Sequence, residues 1–482
     1  MPRIAIISFD KIRSPGYGSR MKKRLAPLAA LPCLALLLAA AAPPTPVERA
    51  RDQALADDKV AWDIVEDLTT EVGPRLAGTE AEARARQWAV KRLKSLGFHN
   101  VHIEDATMAT WVRGAETAEI VAPFPQRLVL TALGGSGATP ADGLTAEVVG
   151  FDSVDALRAA PAEAVRGKIV FVSHAMQANQ DGSGYGYYGA VRRSAPAIGA
   201  QKGAAAVVIR SLGTDYHRNP HTGLTSWGGV TPIPAAALSI PDAENLERML
   251  KRAPKVTMHL TLTPRFVGNT PTGNVIAEVP GTDPSAGIIL VGGHLDSWDL
   301  GTGAIDDAAG VAIVAAAAKR VMEEGRPRRT IRIIWFGDEE TGGAGSKAYF
   351  EAHRGENVVF VGESDFGADR VWRFVPGFAP DNKPLAGRIA AALFPLGINL
   401  GEGEVEAGAD LGAWVRAGSA GADLSQDGTR YFDYHHTPDD TLDKVDPKQL
   451  RQNVAAWTAM LSLVANAPEP IAKLPPRPER RR

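Results

Sequence analysis

Read for where apolar and polar positions fall, the chain opens after residue 50 with two helical stretches. "RDQALADDKVAWDIVEDLTTEVG" (51–73) repeats its apolar positions at helical spacing and predicts one amphipathic helix. "GPRLAGT" (73–79) is a loop, and "EAEARARQWAVKRLKSLGF" (80–98) predicts a second helix stopped by Gly97. "NVHIEDATM" then alternates like a strand. From about 130 to 263 the character changes to short buried strands, "GKIVFVSH", "GAAAVVIRS", "PIPAAALS" and "VTMHLTLT", with a helix at the end of "YGYYGAVRRSAPAIGAQ" and another in "DAENLERMLKRA". That alternation can close its own small core. Past 270 longer strands return, "NVIAEVPG", "AGIILVGGH", "RTIRIIWFGDEE" and "VVFVGESD". They are separated by the helices "DAAGVAIVAAAAKRVMEE" and "SKAYFEAHR" and followed by "LAGRIAAALFPLG" and "PKQLRQNVAAWTAMLSLVANA". Strands alternating with helices predict an α/β fold, a mostly parallel central sheet flanked by helices, with a smaller inserted α/β or β-rich domain. The divisions expected are 1–42, 43–129, 130–265, 266–468 and a Pro/Arg-rich tail, 469–482, predicted to be disordered.

Composition changes this picture at the N-terminus. "MKKRLAPLAALPCLALLLAAAA" (21–42) has a basic start, an apolar middle and small residues at its end, which is the pattern of a secretory signal peptide, and Met21 is a second candidate start. Cleavage there takes the basic count from 53 to 46 and the acidic count from 55 to 54, so the formal charge moves from −2 to −8. An acidic balance argues against nucleic acid as a partner. The apolar middle is short for a membrane span, so the mature chain is expected to be exported, periplasmic or secreted, without a membrane anchor. Cys33, the single cysteine, lies in the leader. The mature chain then has no disulfide, and neither thiolate catalysis nor Cys-ligated metal is available to it.

The candidate chemistry collects at strand ends, where open α/β sheets gather their ligands. One strand ends in His294-x-Asp296 with Asp306-Asp307 on the loop after it, the next in Asp338-Glu339-Glu340, and the third in Glu363-Ser364-Asp365. "YFDYHHTPDDT" adds His435, His436, Asp439 and Asp440. Each piece has an ordinary reading: Asp307 as a helix cap, "DEET" as solvated charge, "HH" as surface histidine. Together they crowd one rim with carboxylates that repel one another and resist desolvation, and divalent cations relieve both penalties. Imidazole and carboxylate without thiolate suit zinc, with cobalt or manganese as substitutes. The donors are too many for one open catalytic ion and enough for two that share a carboxylate, with an adjacent carboxylate left as general base.

"GHLDS", "GAIDDAAG", "DEETGGAGS", "ESD" and "HHTPDDTL", in that order, resemble the M28 family of co-catalytic zinc aminopeptidases and carboxypeptidases, nearest its plasma glutamate carboxypeptidase branch. "GKIVFV", "KGAAAVVIRS" and "IPAAALS" resemble a protease-associated domain. The resemblance implies two zinc ions per chain, one on His294, Asp306 and Asp365, the other on Asp306, Glu340 and His436. It also implies Glu339 as general base and Asp296 as the carboxylate that fixes the tautomer of His294. It implies a cis Asp306–Asp307 bond. His435, Tyr431 and Tyr434 are candidate substrate contacts. The expected activity is hydrolysis of terminal peptide bonds in small peptides or dipeptides, by a chain that can form a homodimer. Aminopeptidase specificity, a one-zinc acyltransferase of the glutaminyl-cyclase kind and a non-catalytic binding protein stand as alternatives.

Overall fold

The computed structural model describes residues 43–478; the expected leader, 1–42, lies outside the described residues. Two eight-stranded sheets organise the rest. The first contains β1 (His99–Val112), β2 (Arg265–Val279), β3 (Ile288–His294), β4 (Thr330–Phe336), β5 (Val358–Glu363), β6 (Val371–Gly377), β7 (Asn399–Leu400) and β8 (Ala420–Gln426). Their order is β1-β2-β4-β3-β5-β8-β6-β7. β3 runs parallel to both β4 and β5, and β5 parallel to β8, whereas β1, β2 and β6 join antiparallel. The parallel centre is why β3 reads as an unbroken apolar run: both faces are buried. Ile289 and Val291 join the core under the helices Ala309–Glu323 and Pro447–Asn466, while Leu290 between them joins the core under the helices Ala344–His353 and Gly408–Arg416. β6, β8 and the helix Gly408–Arg416 had no sequence assignment. β8, "AGADLSQ", has few large apolar residues and is a strand because of the partners on either side of it.

The second sheet spans residues 116–262. It begins at Glu116, ahead of the expected 130, because Glu116–Ala122 pairs antiparallel with Thr257–Leu262. The chain leaves the first sheet along β1 and returns along β2, and Val112 faces Arg265 at the far end of that ladder.

Two further expectations are corrected. The single helix over 51–73 is two, Pro46–Asp57 and Val60–Asp67, followed by a wider turn at Leu68–Val72. The break falls at Asp58, whose carboxylate accepts the N–H of Ala61 at 3.1 Å and so starts the second helix. The tail is laid down on the fold as far as Arg477: Leu474 donates to the carbonyl of Gly418 (2.7 Å) and Arg477 to that of Arg416 (2.8 Å). Among the described residues no helix is long and apolar enough to cross a membrane.

Candidate metal centre

β3, β4 and β5 end side by side, and their carboxyl ends carry the first part of the site. His294 is the last residue of β3 and is 1% exposed. Its Nδ1 lies 2.9 Å from the backbone carbonyl of Asp296. A carbonyl only accepts, so Nδ1 carries the proton, which leaves Nε2 to face Asp306 Oδ1 at 3.0 Å and Asp365 Oδ1 at 3.3 Å. The second group has the same logic. His436 Nδ1 lies 3.3 Å from the carbonyl of Thr222, and Nε2 faces Glu340 Oε2 at 2.9 Å and Asp306 Oδ2 at 3.1 Å. His294–Asp306–Asp365 and Asp306–Glu340–His436 each bring one ligand atom per residue into a common cluster, and Asp306 belongs to both.

Lone pairs thus converge where something positive must sit between them. Glu340 Oε1 and Asp306 Oδ2 are buried and accept no hydrogen bond, although two imidazoles approach Asp306 Oδ2 closely. Without a cation, protons take up the load. Burial opposes charge on His294, yet Asp365 and Asp306 hold its imidazole well above the usual value. His436, also opposed by burial, is carried by Glu340 and Asp306 to about 9. Burial first, then Asp306, lifts Glu340 to about 7. The donor set, imidazole and carboxylate without sulfur, fits zinc and its borderline neighbours.

Backbone N–H groups divide the many acids of this rim into two kinds. Asp307 accepts from the N–H groups of His294 (3.1 Å) and Gly310 (2.9 Å), Asp296 from Glu339 (3.1 Å) and Glu340 (3.3 Å), and Glu363 from Asp410 (3.0 Å) and Leu411 (2.9 Å). Asp440 accepts from Ile305 at 2.7 Å. These acids brace the loops. Gly310 shows how closely: a Cβ there would lie 1.9 Å from the carbonyl oxygen of Ser364 and 2.2 Å from Asp307. Among the described residues Asp306, Glu340 and Asp365 accept no backbone N–H, and they face the imidazoles.

One sequence expectation needs correction here. The tautomer of His294 is set by the backbone carbonyl of Asp296. The Asp296 carboxylate stands 3.8 Å from Nδ1 and is occupied in holding the backbone of Glu339 and Glu340. Tyr434 is half-buried against the core, with Arg430 and Lys444 5.7 and 5.6 Å from its ring centre. Tyr431, by contrast, is buried with its ring 4.8 Å from that of His435. His435 stacks on His436 at 3.6 Å, with Nε2 3.2 Å from Asp306 Oδ2 and a buried Nδ1 that has no partner. The Asp306–Asp307 peptide is cis.

The sequence reading missed two contributors. Arg75, in the "GPRLAGT" loop, is fully buried and donates to the carbonyls of Leu295, Thr302 and Gly303, which hold the loop that carries Asp306. The inserted sheet supplies Tyr185, Arg192, His221 and Thr222 to the back of the His435–His436 pair. A lone histidine in "NPHTG" has no spacing that would single it out.

The family model described as "Peptidase family M28" matches residues 274–461. Carboxypeptidase Q of Mus musculus is 34% identical over 417 residues, which cover 84% of this chain and 86% of that one; its Rattus norvegicus counterpart is 36% identical over 415 residues, 84% and 85%. The solved structure of a peptidase M28 precursor from Shewanella amazonensis SB2B superposes with a TM-score of 0.87 at 44% identity and covers 89% of this chain and 98% of that one. A zinc aminopeptidase from Bacillus subtilis, 21% identical with a TM-score of 0.60 over 85% of this chain and 95% of that one, shares the fold.

Proposed function

Because this chain belongs to peptidase family M28, we propose that it is an exported exopeptidase that holds two zinc ions and hydrolyses a terminal peptide bond of small peptides, free dipeptides foremost. The observation that carries the reading is the pair of donor triads joined at Asp306. His294, Asp306 and Asp365 would hold one ion, and Asp306, Glu340 and His436 the other. When bound, such ions polarise a scissile carbonyl and lower the pKa of water.

The chain's own residues supply the rest. Glu339 takes the proton of the attacking water and returns it to the leaving amine. Its carboxylate is free for this because its backbone N–H, and not its side chain, is anchored to Asp296. Asp296 therefore acts as the positioning group for two neighbours at once, the base Glu339 and the ligand Glu340. His435, whose Nε2 lies 3.2 Å from Asp306 Oδ2, and Tyr431 beside it would hydrogen-bond the reacting carbonyl or its oxyanion. The second sheet, which we read as a protease-associated domain, forms the wall behind His435 and His436.

Metal analysis together with a panel of free dipeptides, N-blocked dipeptides and C-amidated dipeptides tests this reading. Two zinc equivalents and cleavage that needs both free termini are expected. Cleavage that survives amidation but not N-blocking would make the enzyme an aminopeptidase, and a metal-loaded chain inert on the whole panel would overturn the proposal.

A further inference from the structure

Arg192 lies in the inserted sheet's helix Ala190–Gln201, is 8% exposed, and forms no ion pair with a carboxylate among the described residues. A guanidinium is costly to bury without a counter-ion, so its contacts need an explanation. Nη1 donates to His221 Nε2 and to the carbonyl oxygen of Thr222, both at 3.2 Å, and lies 3.4 Å from His436 Nδ1, a second donor to the same Thr222 carbonyl. The chain makes room for it at Gly223, φ +134°, where a Cβ would fall 1.8 Å from Nη1.

The surrounding hydrogen bonds fix the protons. His221 Nδ1 lies 2.7 Å from the carbonyl oxygen of His435, so Nδ1 donates and Nε2 is left as an acceptor for Arg192 or for the Tyr185 hydroxyl, 3.3 Å away. Thr222 grips His436 twice: its N–H donates to the His436 carbonyl at 3.0 Å, and its own carbonyl accepts from Nδ1. His436 is held at φ +60°, a left-handed conformation uncommon for a residue other than glycine. The carbonyls of His435 and Thr222 and the imidazole of His221 thus form one clamp, and Arg192 is the cation that closes it.

We propose that Arg192, acting through His221 and Thr222, is a positioning residue from the inserted sheet that presents His436 Nε2 to the second metal position, so that the insert is a working part of the metal centre. The inference rests on the two-ion reading above. It also makes the two positions unequal: His294 takes its support from its own strand and loop, whereas His436 takes its support from the insert.

The test is metal affinity rather than rate. Wild-type protein, R192M and R192K are titrated with zinc against a competing chelator, and melting is followed on metal-free samples. In R192M one equivalent should bind about 10- to 100-fold more weakly while the other keeps wild-type affinity, because loss of a group that orients a ligand typically costs that much. R192K should fall between, since one ammonium cannot serve both Thr222 and His221 with the geometry of a guanidinium. Metal-free R192M that melts like wild type would show that the loss is not one of folding. Should R192M fail to fold, R192K carries the test with a several-fold loss of the weaker equivalent. Wild-type affinity for both equivalents in the folded variant, or an equal loss at both, overturns the proposal. A wild-type chain that binds no zinc would overturn the two-ion reading instead.

Discussion

Replacing Arg75 with methionine removes the donors that tie the N-terminal loop to the metal loop while keeping a side chain of similar length. Arg75 is 0% exposed, and its guanidinium reaches four carbonyl oxygens: Leu295, Thr302 at 2.6 Å, Gly303 at 2.9 Å and, more weakly, Gly73 at 3.3 Å. Methionine fills the space and leaves the three closer carbonyls without a donor. Each buried group left unpaired costs about 1–3 kcal/mol. Burial also depresses the pKa of Arg75, so dehydration of the guanidinium is a cost that R75M escapes. The net destabilisation is then about 3–5 kcal/mol, near the upper end for a single substitution. Unfolding entropy of about 2 cal/mol/K per residue gives a chain of this length roughly 0.9 kcal/mol/K, so Tm should drop by about 3–6 °C. Scanning calorimetry on chelator-treated protein measures it. Because Thr302 and Gly303 lead directly to Asp306, zinc affinity should fall as well. A variant that melts within 1 °C of wild type, with unchanged zinc affinity, would refute the claim that Arg75 organises this loop.

Other outcomes follow from the same geometry. E339Q should retain both zinc equivalents and lose about 10²- to 10⁴-fold in kcat, the usual range for a general base; near-wild-type turnover of a free dipeptide would remove Glu339 from that role. D306N weakens the ligand common to both triads, so elemental analysis should find fewer than one ion per chain, and two ions would contradict the bridging assignment. Glu82 gives a pH signature away from the metal centre. Burial lifts its carboxyl from 4.5 to about 7 against the pull of Arg86, 2.8 Å away. The folded state therefore binds this proton more tightly than the unfolded chain, and the stability it contributes is full below about pH 4.5 and is lost as pH rises through about 7. E82Q should gain on wild type in urea midpoint between pH 5 and pH 8, and a difference that does not change with pH would show that Glu82 is not the titrating group.

Much of this molecule is legible in its sequence because the information is local. β3 reads as a buried strand since its residues alternate between two apolar faces, Ile289 and Val291 on one and Leu290 on the other. The five proposed ligand positions sit at strand ends or in loops whose motifs carry their own glycines. β8 was not legible, since an Ala/Gly-rich segment becomes a strand only through β5 and β6 beside it. The break at Asp58 was masked by continuous helical spacing on either side of it. The contribution of the insert to His436 was beyond reach for the same reason: it depends on Thr222 and His436, more than two hundred positions apart, meeting through backbone atoms that any residue would provide.

The sequence could not sort the acids of the rim, and the rule that sorts them is one of backbone accounting. Asp296, Asp307, Glu363 and Asp440 are as buried and as acidic as the inward group; burial raises the pKa of each, and the backbone N–H groups they accept offset part of that rise without a cation. Asp306, Glu340 and Asp365 receive none, so their charge is answered only by imidazoles that already donate elsewhere through Nδ1. The supporting acids would then keep their backbone bonds in a metal-free chain, while the protons that an ion displaces sit on His294, His436 and Glu340, whose pKa values are raised, and not on Asp306, whose pKa is lowered. Zinc binding should for this reason release protons from these two imidazoles and Glu340. Isothermal titration in buffers of different ionisation enthalpy counts them, and a release that D296N abolishes while leaving affinity intact would show that the division between supporting and ligating acids is drawn in the wrong place.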